Sequence, residues 1–517
     1  MCGVAGFLDL CARADSTAQT LRAMTQAVAH RGPDADGYWL ASEAGVALGH
    51  RRLSILDLSP AGAQPMVSPS GRYVIAFNGE IYNHLRLREA LGDAAPAWRG
   101  HSDTETVLAG FEVWGIRATI ERSIGMFAFA VWDREQQVLT LGRDRVGEKP
   151  LYYGWQGQGS SAVFLFGSEL KALRAHPMFT AAINRDALAL FMRHNHVPAS
   201  HSIYDGIHKL EPGCLLHVSR AARDPKIERY WSLVNVAVQG VLHPFSGSDA
   251  EAVDELERML TDAVGQQMVA DVPLGAFLSG GVDSSTVVAL MQAQSSRAVK
   301  TFSIGFHEDA YNEAVHAKAV ARHLGTDHTE LYVTPQEAMA VIPRLPELYD
   351  EPFADSSQIP TFLVSQMARR HVTVSLSGDA GDELFAGYNR HEFAAATWPK
   401  VRWVPAPLRR AFASLMWVAP LQSSRMGAKL NKVASLICVN SPSALYQQLV
   451  SNWDDPAQVV LNAKEPATLI SEPPHALARL EDAEYLMALD ALTYLPEDIL
   501  VKVDRAAMGV SLETRVP

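Results

Sequence analysis

A cysteine at position 2 and two glycine-rich turns carrying carboxylates are the residues of this sequence best suited to chemistry. Ser279-Gly280-Gly281-Val282-Asp283-Ser284-Ser285 lies between an apolar run ending at Leu278 and a helix-like segment beginning near Ser284. The backbone N–H groups of such a turn, continued by a helix N-terminus, form an anion cradle, and serine hydroxyls add donors suited to phosphate oxygens. Asp283 would repel phosphate unless a divalent cation stood between them. No Gly-Lys-Ser/Thr follows, so this is not a Walker loop. A second cluster, Ser377-Gly378-Asp379-Ala380-Gly381-Asp382-Glu383-Leu384-Phe385, comes straight after the apolar run Val372 to Leu376. Magnesium takes oxygen ligands and usually bridges carboxylates to substrate phosphates, which makes Asp283 and Asp382 the candidate metal residues. Cys2 would become the first residue once Met1 is removed, so that a thiol and a free amine share one residue. An α-amino group titrates near about 7.7 to 8.0 and can take a thiol proton at neutral pH without a histidine.

These groups sit at the ends of two differently textured regions. Up to about residue 210 the chain is dense in short apolar runs, Tyr73 to Phe77, Met126 to Trp132 and Val163 to Phe166 among them, punctuated by Gly, Pro, Asn and Asp. That is the pattern of a strand-rich domain. Two helices are expected on it, Thr17 to Ala29 and Asp103 to Trp114. The tract Gly154 to Ser161 reads as a hairpin connection rather than a phosphate loop. After a turn-rich stretch, Pro244 to Asp249, helix-like and strand-like segments alternate: Ala252 to Met268, Leu274 to Leu278, Ser284 to Gln294, Thr301 to Phe306, Asn312 to Leu324, Glu330 to Thr334 and Val372 to Leu376. Strands without polar alternation, separated by helices, predict a parallel sheet covered on both faces. The expected division is 1–215, a connecting segment 216–249, and 250–517.

Ser279 to Ser285 resembles the pyrophosphate loop of ATP pyrophosphatases, which cleave ATP between the α and β phosphates and adenylate a carboxylate or similar oxygen. Cys2 with His30-Arg31-Gly32-Pro33-Asp34, His50-Arg51-Arg52-Leu53-Ser54-Ile55, Phe77-Asn78-Gly79-Glu80-Ile81-Tyr82-Asn83 and Ser102-Asp103-Thr104-Glu105 resembles the N-terminal-nucleophile glutaminases. With both halves in this order, the chain from Cys2 to Pro517 is similar to the glutamine-hydrolysing asparagine synthetases of bacterial type B. Gly142 to Arg145, Lys149 to Tyr153, Phe166 to Lys171, Asp350 to Ser357 and Lys502 to Arg505 add to the match.

The resemblance implies an α+β fold, a four-layer αββα sandwich acting as a glutaminase, followed by a doubly wound α/β parallel-sheet domain acting as an ATP-dependent synthetase. It implies that Cys2 attacks the glutamine amide while the Asn78 side chain and the Gly79 N–H hold the oxyanion. Arg52 would grip the substrate carboxylate, and Glu80 and Asp103 its ammonium and polar edges. Leu278, Ile304 and the Ser377-Gly378 pair would meet adenosine. Ser279, Gly280, Gly281, Asp283 and Ser284 would meet pyrophosphate, with Asp379 and Tyr388 near the acyl-adenylate. The implied substrates are glutamine, ATP and aspartate, or another carboxylate such as one on a cell-surface sugar or secondary metabolite, with Mg²⁺ as cofactor; a homodimer is allowed. The family continues past the point matching Val516-Pro517 into a helical segment that carries a lysine near the adenylate, so the resemblance implies a C-terminally truncated synthetase region, and that lysine's role does not pass to Lys502. Ala380 and Ala386 occupy positions where many relatives have glycine, a change that matters only at positive φ.

Composition narrows the remaining classes. The 517 residues are 48 % apolar and 20 % charged, enough for full-size cores and unlike a disordered chain. Against 45 Lys and Arg stand 57 Asp and Glu, a net charge of −12, so no broad cationic field would draw nucleic acid or anionic lipid. The cysteines at 2, 11, 214 and 438 are too scattered for a disulfide framework or a CxxC metal site. Cys11, Cys214 and Cys438 read as small apolar fillers. No basic n-region precedes the first apolar stretch, and the best apolar runs, Met126 to Trp132 and Ala411 to Leu421, are too short for a membrane span, so the expected address is the cytoplasm. The His194-Asn195-His196 pair lacks a metal-binding spacing and reads as surface or core, and the acidic run Glu481 to Glu484 as a solvated helix face. A non-catalytic binding role is the rival class, against which the motif carboxylates count. Cys2 counts against the β-lactam-forming relatives, which lack it.

Overall fold

The computed structural model describes residues 1–10, 14–306, 313–417 and 434–517. Cys11, the start of the helix expected from Asn312 and the end of the apolar run at 411–421 lie outside the described residues. In chain order the strands are β1 (Gly3–Asp9), β2 (Ala35–Ala41), β3 (Val46–Arg52), β4 (Met66–Val67), β5 (Tyr73–Ile81), β6 (Gly125–Asp133), β7 (Val138–Arg143), β8 (Tyr152–Gln156), β9 (Val163–Gly167), β10 (His208–Lys209), β11 (Cys214–Val218) and β12 (Lys226–Arg229). A second group comprises β13 (Leu274–Phe277), β14 (Lys300–Phe306), β15 (Asp327–Val333), β16 (Val374–Leu376) and β17 (Glu513–Arg515). The helices used below are α1 (Ala14–Ala27), α2 (Asp103–Trp114), α3 (Arg185–His194), α4 (Asp249–Gln267), α5 (Val282–Gln294), α6 (Ala314–Leu324), α7 (Gln358–Ala368), α8 (Asn389–Ala396), α9 (Pro442–Val450) and α10 (Leu500–Met508).

The first twelve strands make two antiparallel six-stranded sheets, ordered β10-β8-β9-β1-β3-β2 and β12-β11-β7-β6-β5-β4. Alternation along each strand builds the layers. Val4 and Leu8 of β1 meet Val74 and Ala76 of β5 and Ala128, Ala130 and Trp132 of β6 between the sheets. The intervening Ala5 and Phe7 face outward onto Leu21 and Met24 of α1, while Ile75, Phe77, Phe127 and Phe129 face outward onto Val107, Leu108 and Phe111 of α2. This is an αββα sandwich. Because both faces of these strands are covered, they read as continuous apolar runs. α2 begins where Ser102 accepts the Glu105 N–H at 3.3 Å and stops at Gly115, which takes φ 83°.

β11 and β12 extend this region past residue 215, where the sequence reading began the connecting segment. Leu215 pairs with Gly142 and Leu216 with Ile227, and Cys214, Leu216 and Val218 fill the space between the sheets. The polar turn between the two strands gives them the look of a linker. The Gly154–Ser161 tract spans the end of β8 and its antiparallel connection to β9.

The last five strands form one parallel sheet ordered β15-β14-β13-β16-β17. Val264 of α4, Val288 and Met291 of α5, and Ala317 and Ala321 of α6 cover one face. Val364, Met367 and Ala368 of α7 and Ala507 of α10 cover the other around Phe302. The sheet is doubly wound, and its strand order reverses between β13 and β16, the place where such sheets open a crevice at their carboxyl ends. The two regions share a core in which Met1, Leu53, Ile55 and Met126 pack with Val374 and Met508. Among the described residues no helix is long and apolar enough to cross a membrane.

Candidate active site

Cys2 stands just ahead of β1 and is buried. Its N–H donates to Asn78 Oδ1 at 2.8 Å, and its Sγ lies 3.8 Å from the Leu53 carbonyl oxygen. With Oδ1 occupied, the Asn78 amide is oriented, and its Nδ2 is a buried donor without a partner among the described residues. Along the same edge of β5, the Phe77 N–H donates to Gln64 Oε1 and the Ile81 N–H to Asp103 Oδ2. By strand alternation the Gly79 N–H faces that edge between them. Burial pushes the Cys2 thiol up to about 11, opposed by the nearby terminal ammonium. That ammonium, on Met1, donates to Glu513 Oε2 at 2.5 Å. Burial and the neighbouring Asp103 raise the Glu80 carboxyl well above its usual range, and Glu80 Oε2 is also unpartnered. Burial likewise raises Asp103. Arg52 is turned to local carbonyls, Nη1 to Ser59 O at 3.2 Å and Nη2 to Asp57 O.

The two glycine-rich turns meet at the reversal of the parallel sheet. Ser279 to Gly281 leave β13, and α5 starts at Val282, placing Asp283 in its first turn. The Ser279 and Ser284 hydroxyls lie 3.0 Å apart, and the Gly281 N–H donates to Ser279 Oγ at 3.3 Å. Gly280 takes φ +85°, and a Cβ there would stand 2.6 Å from Ala317 N, so only glycine fits. From β16, Gly378 comes so close that its Cβ would be 2.6 Å from Ser284 N. A Cβ on Gly381 would be 2.4 Å from Asp283 Cγ, so the second turn is wrapped against the Asp283 carboxylate. Burial and the charge of Asp382 raise the pKa of Asp283. Two carboxylates held together beside a phosphate-type loop suit Mg²⁺, which completes its shell with substrate phosphate oxygens rather than an all-protein cage.

The remaining candidates fall around this crevice. Ser377 donates its hydroxyl to the Asp379 carboxylate, and Tyr388 donates to Glu383 Oε1 at 2.5 Å. Leu278 joins the core on the α5–α6 face, whereas Ile304 packs toward α7. Their side chains therefore lie on opposite faces of the sheet, and what they share is a position at neighbouring strand ends.

The family described as asparagine synthase matches residues 255–517, and the family described as glutamine amidotransferase domain matches residues 1–231. The chain belongs to the asparagine synthase family. Asparagine synthetase 1 (glutamine-hydrolysing) of Bacillus subtilis is 32 % identical, over 100 % of this chain and 79 % of its own length. Asparagine synthetase B of Escherichia coli is 31 % identical over 75 % of this chain and 65 % of its own. A Mycobacterium tuberculosis relative provisionally named asparagine synthetase (glutamine-hydrolysing) is 34 % identical over 100 % of this chain and 80 % of its own.

In this family member the structure adds residues that motif reading left without a role. Lys502 of α10 points into the crevice, its Nζ 3.7 Å from Asp355 Oδ2 and 3.9 Å from Asp379 Oδ1. Burial alone would lower its pKa, but Asp379, Asp355 and Asp498 outweigh that and raise it. Arg31 is fully buried; its Nε donates to the Cys2 carbonyl at 3.0 Å, Nη1 to Asp504 Oδ2 and Glu169 Oε1 at 2.8 Å each, and Nη2 to Asp504 Oδ1 at 2.9 Å. Arg505 Nη1 reaches the same Glu169 Oε1 at 3.0 Å. Glu513, on β17, holds the Met1 ammonium and receives Arg515 Nε at 2.8 Å. The charged types were visible in the sequence; pairings across some 470 residues were not.

Proposed function

We propose that this chain is a glutamine-dependent, ATP-using carbon–nitrogen ligase, and that aspartate, the acceptor implied by the family, is converted to asparagine. The observation that carries the reading is the meeting of the Ser279–Ser285 and Ser377–Asp382 turns at the reversal of a parallel sheet whose adjoining sandwich buries a cysteine behind Met1.

On this reading, removal of Met1 converts the Cys2 nitrogen, now 2.8 Å from Asn78 Oδ1, into an α-amine. That amine takes the thiol proton, which the buried thiol does not otherwise release at neutral pH. The Cys2 sulfur attacks the glutamine amide carbon, and the free Asn78 Nδ2 and the Gly79 N–H hold the oxyanion. Ammonia leaves and water hydrolyses the thioester to glutamate. Arg52 reaches the substrate carboxylate by exchanging one of its local carbonyls, while Glu80 and Asp103 receive the ammonium. In the second domain the backbone near Leu278, Ile304 and Ser377-Gly378 borders adenosine, and Ser279 to Ser284 cradle the phosphates. An acceptor carboxylate oxygen attacks the α-phosphorus and pyrophosphate departs; ammonia then displaces AMP from the acyl-adenylate beside Asp379 and Tyr388. Mg²⁺ held by Asp283 and Asp382 would neutralise charge on the departing phosphates. Glutamine, ATP and free thiols coexist in the cytoplasm, which is where we place the activity.

Cys2→Ala is the test. Glutamine hydrolysis should vanish, while pyrophosphate release with ammonium as donor stays within about twofold of the parent, because the thiol serves only ammonia formation. Equal loss of both activities would count against separate sites.

A further inference from the structure

Arg52, read above as the grip on the glutamine carboxylate, is aimed by the loop that follows it, and that loop is fastened by the other half of the molecule. Leaving β3, the chain buries Leu53 and Ile55 in the shared core and turns at Asp57, whose φ of 55° is one that Asp adopts more readily than most L-residues. Residues 57–62 then wrap the guanidinium. Arg52 donates to the Asp57 and Ser59 carbonyls, and a Cβ on Gly62 would collide with Nη2. Asp57 itself is 1 % exposed. Its Oδ1 accepts the Ser59 N–H at 3.1 Å, and its Oδ2 accepts the His101 N–H at 2.8 Å, which ties the Arg52 loop to the turn ahead of Asp103.

Both segments converge on one carboxylate of the parallel-sheet domain. Asp271 precedes β13, at the end of that strand away from the Ser279 turn. Its Oδ2 accepts the Asp57 N–H at 2.8 Å and lies 2.8 Å from His101 Nε2, which donates because an ionised carboxylate only accepts. The His101 bond is the largest of the influences that hold the Asp271 carboxyl below its ordinary range. The Asp271 N–H in turn donates to the Ile55 carbonyl at 3.0 Å, so residues 55–57 are gripped at both ends.

We propose that Asp271 is a positioning residue for glutamine, clamping the Arg52 loop against the Asp103 turn so that the groups receiving the substrate carboxylate and ammonium keep a fixed separation. The inference rests on the ligase reading given above. An amino acid carries its carboxylate and ammonium on one carbon, so a site that grips both gains only if its own cation and carboxylate are held in register beforehand. Arg52 ends a strand of one sheet, whereas Asp103 opens a helix lying on the other, so their register is set by tertiary links. Asp271 supplies such a link from outside the sandwich, through two hydrogen bonds to a single oxygen.

The test uses the purified chain and measures glutaminase kinetics, ammonium-driven pyrophosphate release and amide hydrogen exchange. Asp271→Ala should raise KM for glutamine about tenfold, the worth of one charge-assisted hydrogen bond, and leave kcat within about twofold because Cys2, Asn78 and Gly79 are untouched. Pyrophosphate release with ammonium should also stay within about twofold, and exchange across 53–62 and 99–103 should quicken about tenfold while 73–81 keeps its protection. Asp271→Asn retains an acceptor oxygen and should return KM to within about threefold of the parent. His101→Ala, at a side chain 60 % exposed, is the second variant. It should raise KM about threefold by itself and add nothing to Asp271→Ala, since both act through one carboxylate. An unchanged KM in Asp271→Ala, a fall in kcat at fixed KM, or Asp271→Asn behaving as Asp271→Ala overturns the proposal and leaves the ligase reading standing. Where Asp271→Ala does not fold, an unchanged KM in His101→Ala does the same. A parent that hydrolyses no glutamine overturns that reading and the proposal with it.

Discussion

Asp283 and Asp382 come from turns almost one hundred residues apart, yet the second turn closes onto the first carboxylate through glycines that leave no room for a Cβ. Replacing either by Asn keeps the volume and removes one charge. Asp283→Asn and Asp382→Asn should each reduce kcat/KM for Mg²⁺-ATP by well over about tenfold, since metal-bridged charge on phosphate is worth several kcal/mol, while Tm moves little. Normal pyrophosphate release at limiting Mg²⁺ would remove that carboxylate from the site. Two alanines nearby carry strain. Ala380 and Ala386 adopt φ 74° and φ 62°, the left-handed region that costs an L-residue about 1–2 kcal/mol. Glycine removes that cost and returns part of it as unfolded-chain entropy. Ala380→Gly and Ala386→Gly should therefore each stabilise the fold by about 0.5–1 kcal/mol in denaturant titrations. A loss of stability would mean that the methyl packing of Ala380, which touches Leu495 and Ile499, outweighs the backbone term.

Helix α10 touches both candidate sites within nine residues. Lys502 faces Asp355 and Asp379 of the crevice at the sheet reversal, Asp504 and Arg505 face the Arg31–Glu169 pair behind Cys2, and Met508 packs with Met1. Consecutive helical positions point in different directions, so one short rigid element can hold a residue in each site. Asp504 binds Arg31 through two parallel hydrogen bonds, and Arg31 in turn fixes the Cys2 carbonyl. Asp504→Asn breaks the bidentate pairing from the synthetase side. Glutamine hydrolysis should fall by about tenfold, a change in the range of one charge-assisted hydrogen bond, with ammonium-driven pyrophosphate release reduced less than about twofold. Loss of both in proportion would show that Asp504 only supports folding.

Over the whole molecule, two sets of buried groups oppose each other in their response to pH. Burial lowers His50 to about 3, His176 to about 4 and His194 to about 3. Unfolded, these rings take protons near 6.5 that the folded chain refuses, so their contribution is fully present above pH 6.5 and is lost as pH falls toward those folded values. Glu80, Asp103 and Glu148 behave in the opposite sense. Burial raises each of them, so their stabilising contribution is present below the usual carboxylate range and is lost as pH rises through the raised values. The parent should show a shallow profile, and single variants should unmask each limb. His50→Gln should gain on the parent by up to about 1.4 kcal/mol per pH unit below pH 6.5, whereas Glu148→Gln should gain as pH rises above about 4.5. Tm across pH 4.5 to 8.5 for the three proteins checks both signs; parallel curves would refute the assignment.

Much of this was already written in the residue order. Short apolar runs doubly buried in the sandwich, the switch to alternating helices and strands near residue 250, and the glycine, serine and carboxylate turns at strand ends are local patterns set by backbone geometry, and so the sequence determined them. Helix α2 matches its sequence reading from Asp103 to Trp114 because Ser102 and Gly115 punctuate it. The reach of the first region past residue 215 was not legible, since β11 and β12 are defined by pairing with β7 and with each other rather than by their own pattern. Nor was the meeting of Arg31 with Asp504, of Met1 with Glu513, of Lys502 with Asp379, or of Asp57 with Asp271. Contacts between residues hundreds of positions apart leave no periodicity in a chain. Only tertiary packing decides them, because a buried charge or polar group finds its partner by the geometry of the folded core and not by distance along the sequence.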